Sequence, residues 1–260
     1  MLGKYELNKI YNEDSHKAIK DIPDKSIDCI YTDIPYLYET GGGGSSALAQ
    51  RIQKIQQKDL VGITDGIDYG ILDEFVRVSK KVNIFIWCSK LQIPHILNYF
   101  NDRGCNYEIL IWAKTNPTPQ TNNVWLPDLE YCLYFREKGV KLNDGYDLKS
   151  KYYTSSTNKL DKDDYWHPTI KPLNLVKRHL LHTTQPNDIV ADFFIGSGTT
   201  AEAAKELGRK FIGFEIEKKW YDIANDRDNG IDAHGQTSIF TDIENIGGNK
   251  KWLNKWIYST

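Results

Sequence analysis

Strand-length apolar runs alternate with helix-length stretches along most of this chain. The runs fall at 5–11, 28–33, 82–88, 107–113, 129–135, 188–194 and 210–216. Several are apolar at consecutive positions and rich in Ile, Val, Phe and Tyr, as in "VNIFIWC" and "KFIGFEI". A strand that is apolar on both sides must be covered on both faces. Helical candidates lie between the runs, at 15–20, 69–80, 91–102, 172–184, 199–207 and 217–228. The alternation predicts an α/β fold with a mostly parallel seven-stranded sheet and helices on both faces. Ligands of such sheets bind outside the carboxyl ends of the strands. "YTDIPY" (31–36) and "ADFFIGSG" (191–198) both stand at such ends.

Three segments break the pattern. Residues 37–66 carry four consecutive glycines followed by the polar "ALAQRIQKIQQ". Residues 137–166 are polar, with lysines scattered among tyrosines, and read as an irregular insert. The stretch from 231 to 260 is a tail of unassigned role. The expected organisation is therefore a catalytic domain over 1–230 and a separate tail. No run is long enough to span a membrane and no charged-then-apolar leader opens the chain, so a soluble cytoplasmic protein is expected. Cys29, Cys88, Cys105 and Cys132 form no CxxC pair, which favours buried thiols over a metal site. The net charge of −2 provides no global field for nucleic acid, so any such attraction must be local.

"DFFIGSGTT" follows a strand and opens a helix. Gly196 and Gly198 permit a tight turn and close approach to a ligand. Thr199 and Thr200 are candidates for capping the helix. Glu215 ends the next strand, where a carboxylate can accept both hydroxyl protons of a ribose. The GK[ST] ending of a phosphate-cradling loop is missing.

Four motifs in order resemble the beta class of DNA amino-methyltransferases. They are "NED" (12–14), "TDIPY" (32–36), "HPTIKP" (167–172) and "FIGSG" (194–198), and the likeness runs from residue 5 to about 228. It implies a Rossmann-like fold dependent on S-adenosylmethionine, with methylation of an exocyclic amine of adenine or cytosine in DNA. By the same likeness Asp192, Phe194, Gly196 and Gly198 cradle the cofactor, and Glu215 holds its ribose. Asp14 contacts the adenine end. Lys171, with Thr199 or Thr200, faces the methionine carboxylate. His167 serves an ordering hydrogen bond. The motif order is permuted, the catalytic motif preceding the glycine loop.

The family's catalytic motif has two prolines, and this chain has Ile34 and Pro35. An exocyclic amine conjugates its lone pair into the ring and is a poor nucleophile. Two acceptors on its two protons draw the nitrogen toward tetrahedral geometry. Asp33 offers one, and the backbone carbonyl of residue 34 offers the other. Any residue has a carbonyl, and Pro35 biases residue 34 to an extended conformation. Replacing proline by isoleucine forfeits about 0.4–1 kcal/mol of chain stiffness and adds an N–H that needs a partner. The Ile34 side chain is given no role in this reading. Tyr36 is expected to stack on a target base taken out of the helix. Aspartate at the first position favours adenine N6, and no metal is required.

Between Arg136 and Arg178 there are ten Lys or Arg against six Asp or Glu, interleaved with aromatic rings. Charge for phosphates with flat rings for bases makes Lys149, Lys151 and Lys159 the candidate DNA contacts. Arg51 and Lys54 in the 37–66 loop are expected to assist, the loop being mobile without DNA. The oligomeric state is left open, a homodimer included, as is the choice between a solitary or phage-borne methylase and half of a restriction pair. Competing readings are cytosine-N4 methylation, an inactive cofactor- and DNA-binding relative, and a dinucleotide-dependent oxidoreductase. The last leaves "TDIPY" and "HPTIKP" unexplained.

Overall fold

The computed structural model describes residues 1–37, 66–119, 125–157 and 170–230. Eight strands form one sheet: β1 (Lys9–Tyr11), β2 (Cys29–Asp33), β3 (Asn83–Cys88), β4 (Asn106–Lys114), β5 (Leu129–Arg136), β6 (Tyr152–Ser155), β7 (Ile189–Asp192) and β8 (Lys210–Phe214). Their spatial order is β1-β8-β7-β2-β3-β5-β4-β6. β5 alone runs against its neighbours β3 and β4, and the other pairings are parallel. The helices are α1 (Ser15–Ala18), α2 (Ile71–Val78), α3 (Ile93–Asn101), α4 (Leu173–Thr183), α5 (Thr199–Glu206) and α6 (Lys218–Asp228).

The period-2 geometry of strands divides the core in two. On β2, Ile30 packs with α2 and α3 residues such as Phe75 and Phe100. Its neighbours Cys29 and Tyr31 point the other way, to Leu175, Val176 and Leu180 of α4 and Ala201 and Ala204 of α5. Every residue of β3 is buried, as expected for a central strand covered on both faces. From β2 the chain proceeds to β3 on one side, and from β7 to β8 on the other. The sheet therefore reverses its winding between β2 and β7, where a crevice opens at the strand ends.

The expected alternation is present, with two differences. β1 is three residues long, not seven. Asn8 adopts a left-handed conformation (φ 60°), and the chain before it folds back through a bridge between Leu2 and Tyr5. The Asn8 backbone N–H reaches Phe211 O at 2.7 Å and its side chain accepts from Phe211 N at 3.1 Å, so the kink is held by β8. The eighth strand, β6, lies inside the segment read as irregular. "YYTS" has no apolar run, and its half-exposed residues become a strand by pairing with the open edge of β4. None of the described helices is long and apolar enough to cross a membrane.

Candidate active site

β2 carries Asp33 to the mouth of the crevice. The following turn is pinned on both sides of residue 34. The Ile34 N–H donates to Trp87 O at 3.2 Å, and Gln92 Nε2 donates to Pro35 O at 2.9 Å. Gln92 is fully buried, and its Oε1 accepts from Ser89 N at 3.0 Å. The Ile34 side chain is 1% exposed and belongs to the core on the α2 side. This corrects the expectation that it has no role. Where the family has a stiff proline, this chain uses a backbone hydrogen bond and a buried side chain.

Lys171 precedes α4 and is 5% exposed. Its ammonium bonds Asp33 Oδ2, lies 3.1 Å from Glu130 Oε2 and 3.3 Å from the Tyr36 hydroxyl. Trp87 and Tyr36 present their rings to it at 5.1 and 5.4 Å. Three N–H donors meet three oxygens of the protein. Lys171 therefore faces the carboxylate of the catalytic motif while lining the same cavity as the expected cofactor residues. Glu130, on β5, was not anticipated. It bridges Lys171 to Lys114, whose Nζ lies 2.6 Å from Glu130 Oε1. Burial would raise Glu130, but Lys171 and Lys114 outweigh it and hold the carboxyl at about 2. For Asp33 burial is the larger effect: Lys171 pulls the carboxyl down, Glu130 pushes it up, and the result lies above the usual range. Burial would lower Lys171, yet its two carboxylate partners keep it raised.

Beneath Lys171, Trp87 Nε1 donates to the Tyr31 hydroxyl at 3.0 Å, which lies 3.2 Å from His179 Nδ1. Burial, helped by Arg178 and His182, lowers His179 to about 3, so it is neutral.

β7 and β8 build the other half. Asp192 is buried and accepts from Phe194 N at 3.1 Å, which starts the turn. Burial pushes its carboxyl up to about 7 against hydrogen bonds from Thr200 and Phe194 N. Gly196 has φ 53°, and its N–H donates to Glu215 Oε2 at 3.0 Å. Glu215 Oε1 accepts from Glu217 N at 2.9 Å. Burial raises the Glu215 carboxyl while these backbone donors oppose the rise. Gly198, with φ 85°, caps α5, and a Cβ there would stand 3.2 Å from Ala224 backbone and side-chain atoms. Thr199 and Thr200 are the first residues of α5 and do not cap it, which corrects the capping expectation. The Thr199 hydroxyl accepts from Arg227 Nη1 at 2.9 Å. Asp14 caps α1 by accepting from His16 N at 2.9 Å. Asn12 was also missed: its Nδ2 holds the carbonyls of Glu215 and Ile216 at 2.8 and 2.9 Å.

One cavity of about 360 Å³ joins the two halves. Its wall includes Asp33, Ile34, Pro35 and Tyr36, and Asp14, Lys171, Asp192, Phe194, Gly196, Thr199, Thr200 and Glu215. Of the expected catalytic and cofactor residues only Gly198 is off the wall, and its work is helix packing. Six carboxyl side chains and one lysine line the cavity, which suits a cationic ligand of small-molecule size. Among the DNA candidates, Lys149 is exposed and pairs with Asp144 at 2.9 Å, and Lys151 is exposed and pairs with Glu108. Arg51, Lys54, Lys159, His167 and most of the 37–66 loop lie outside the described residues, as does the 231–260 tail.

Comparison with known proteins agrees with this geometry. A profile of the DNA methylase family, the N6/N4 methyltransferases, matches residues 27–226. The Type II methyltransferase M2.DpnII of Streptococcus pneumoniae is 30% identical over 90% of this chain and 94% of its own. M2.LlaDCHI of Lactococcus lactis subsp. cremoris is 31% identical over 87% and 91%. The crystal structure of the M1.HpyAVI–SAM complex superposes with a TM-score of 0.62 at 27% identity, covering 84% of this chain and 98% of that one. The cytosine-N4-specific PvuII DNA methyltransferase, at 18% identity, shares the fold with a TM-score of 0.63 over 91% of each chain. The chain belongs to the DNA methylase family of N6 and N4 methyltransferases, enzymes whose methyl donor is S-adenosylmethionine.

Proposed function

We propose that this enzyme methylates the exocyclic N6 of adenine in DNA, on a base presented outside the helical stack. One observation carries the reading. Asp33 lines the cavity, and its Oδ1 is buried with no hydrogen-bond partner among the described residues. A buried carboxylate oxygen without a donor is costly, and an amine proton satisfies it. The Ile34 carbonyl, fixed between two backbone anchors, is the acceptor for the second proton. Tyr36 supplies a flat ring beside them, and a base must leave its stack to reach this depth.

S-adenosylmethionine, when bound, supplies an electrophilic methyl group on a positively charged sulfur. The acidic wall attracts that charge. Glu215 takes the ribose hydroxyls and Asp14 the adenine end. With Lys171 committed to Asp33 and Glu130, the methionine carboxylate falls to the first turn of α5 at Thr199 and Thr200, where the helix dipole is positive. Positioning of amine and methyl in line provides most of the acceleration. Aspartate at the head of the catalytic motif favours adenine over cytosine. The relatives named Type II methyltransferases support a role in modifying DNA alongside a restriction enzyme.

Digestion of DNA after incubation with labelled S-adenosylmethionine, followed by mass spectrometry of the nucleosides, tests this. N6-methyladenine is expected. N4-methylcytosine alone overturns the adenine assignment.

For DNA contact, Lys149 and Lys151 with Lys159 remain the candidates. Exposed ion pairs hold their partners by at most about 1 kcal/mol, so the first two can exchange Asp144 and Glu108 for phosphates. The triple alanine variant is expected to bind DNA more weakly with a shallower salt dependence. Unchanged affinity and slope would place the surface elsewhere.

A further inference from the structure

We propose that Glu130, braced by Lys114, is a positioning residue for methyl transfer: by taking a share of the Lys171 ammonium it leaves Asp33 oriented and basic toward the target amine. The inference rests on the reading of this site as an amine-methylating centre.

The geometry begins with the reversed strand. β5 runs opposite to β3, so its first residues arrive where the parallel strands end. Tyr131 pairs with Cys88, the last residue of β3, which sets Glu130 beside the crevice. Across β5 and β4, Glu130 is opposite Trp112, and Lys114 is two residues further on the same face. The result is a row of alternating charge, Lys114–Glu130–Lys171–Asp33, joined by direct contacts. Tyr36 joins it through its hydroxyl, 3.4 Å from Glu130 Oε2.

Two lysines and two carboxylates balance, yet their arrangement is asymmetric. Glu130 is compensated from both sides. Asp33 stands at the end of the row, with one cation that it must share. A private Lys171–Asp33 pair would neutralise Asp33 and weaken it as an acceptor. The chemistry needs the opposite. As the amine nitrogen bonds the methyl carbon, the methyl–sulfur bond breaks with its electron pair left on sulfur. The nitrogen must then give up a proton. Asp33 Oδ1 is the buried acceptor beside it. Glu130 shares the charge of Lys171, which keeps that oxygen basic, and Lys114 keeps Glu130 ionised.

The other titratable groups around Asp33 are Tyr31 on β2, Tyr36, the thiols of Cys88 and Cys132, and Asp192 on β7. Both test variants below leave these in place. Glu130→Gln preserves shape and removes one negative charge, so Lys171 bears fully on Asp33. The carboxylate is then favoured, and the acid limb of the rate profile moves to lower pH. Lys114→Gln removes a positive charge, so Glu130 draws harder on Lys171. Asp33 then protonates more readily, and the limb moves to higher pH. The Glu130→Gln shift is expected to be roughly one pH unit, as for a single close charge, and the Lys114→Gln shift smaller, since Lys114 reaches Asp33 only through Glu130 and Lys171.

The measurement is the single-turnover rate of DNA methylation against pH, with S-adenosylmethionine saturating so that loss of cofactor affinity does not shape the profile. The plateau rate of Glu130→Gln is expected to fall, with affinity for S-adenosylmethionine unchanged in both variants. Shifts of opposite sign support the inference. Unmoved limbs, or two shifts in one direction, overturn it, since a purely structural Glu130 would lower the rate without moving the limb. Should Glu130→Gln fail to fold, Lys114→Gln decides alone: an upward shift supports the inference and none overturns it. A wild-type protein that methylates no DNA overturns the functional reading and this inference together. An active wild type with unshifted variants overturns the inference alone.

Discussion

The two halves of the cavity are built by different means. The half at the ends of β7 and β8 is made largely of backbone. Gly196 donates its N–H to Glu215, Phe194 donates to Asp192, and Gly198 brings α5 against α6. Its parts come from a short span, 192–217, with Asn12 and Asp14 added from the exit of β1. The half at the end of β2 is made of side chains. Asp33, Tyr36, Lys114, Glu130 and Lys171 arrive from four separate segments and meet only in the folded chain. A backbone cradle suits a ligand whose shape never varies. A chargeable cluster suits an atom whose protonation changes during the reaction.

This difference also decides what could be read beforehand. The glycine loop is a contiguous string in which strand, turn and helix are each written locally. Gly198 packs helices and Thr199 and Thr200 leave the helix uncapped by side chains, but Asp192, Phe194 and Gly196 reach the cavity wall. So do Asp33 to Tyr36, which are contiguous as well. Glu130 and Lys114 carry no local signal. "LEYCLYF" reads as a strand whatever its direction, and only the reversal of β5 brings Glu130 to the site. Lys171 belongs to a legible motif, but its contact with Glu130 depends on that same reversal. The alternation of strands and helices was legible because both-face burial leaves apolar runs. β6 was not, because an edge strand needs no such run.

Removing one carboxylate from each half should separate their roles most strongly. Asp33→Ala is expected to reduce single-turnover methylation by on the order of 10²–10³-fold or more, as when a preorganised transition-state contact is lost. Its affinity for S-adenosylmethionine should change little. Glu215→Ala should do the reverse. It weakens cofactor binding by about 1.5–3 kcal/mol for each charge-assisted hydrogen bond lost, with the rate at saturation largely retained. Calorimetry and single-turnover assays on both variants measure the four quantities. If Asp33→Ala lost cofactor affinity as heavily as Glu215→Ala, the two halves would be one binding site and the division would fail.

A smaller effect sharpens the account of how the catalytic turn is held. Ile34→Pro restores the family's usual residue but removes what this chain uses instead. The N–H bond to Trp87 O is lost, about 0.5–1.5 kcal/mol. Buried apolar surface is lost too, at about 0.8 kcal/mol per CH₂. Proline returns about 0.4–1 kcal/mol by stiffening the unfolded chain. The net expectation is a destabilisation of about 1–2 kcal/mol in denaturant unfolding. The methylation rate should nevertheless stay within a few-fold of the wild type. What the reaction requires is the carbonyl of residue 34, and that group remains between Asp33 at the end of β2 and the Pro35 carbonyl held by Gln92. Gln92→Leu removes that second anchor and leaves Ile34 intact, so it is the variant in which the rate should fall more than the stability of the turn would require. A folded Ile34→Pro enzyme with a collapsed rate, beside an active Gln92→Leu, would show that the carbonyl is aimed through the Ile34–Trp87 bond. The proline of the family and the isoleucine of this chain would then be alternatives that cannot be exchanged one at a time.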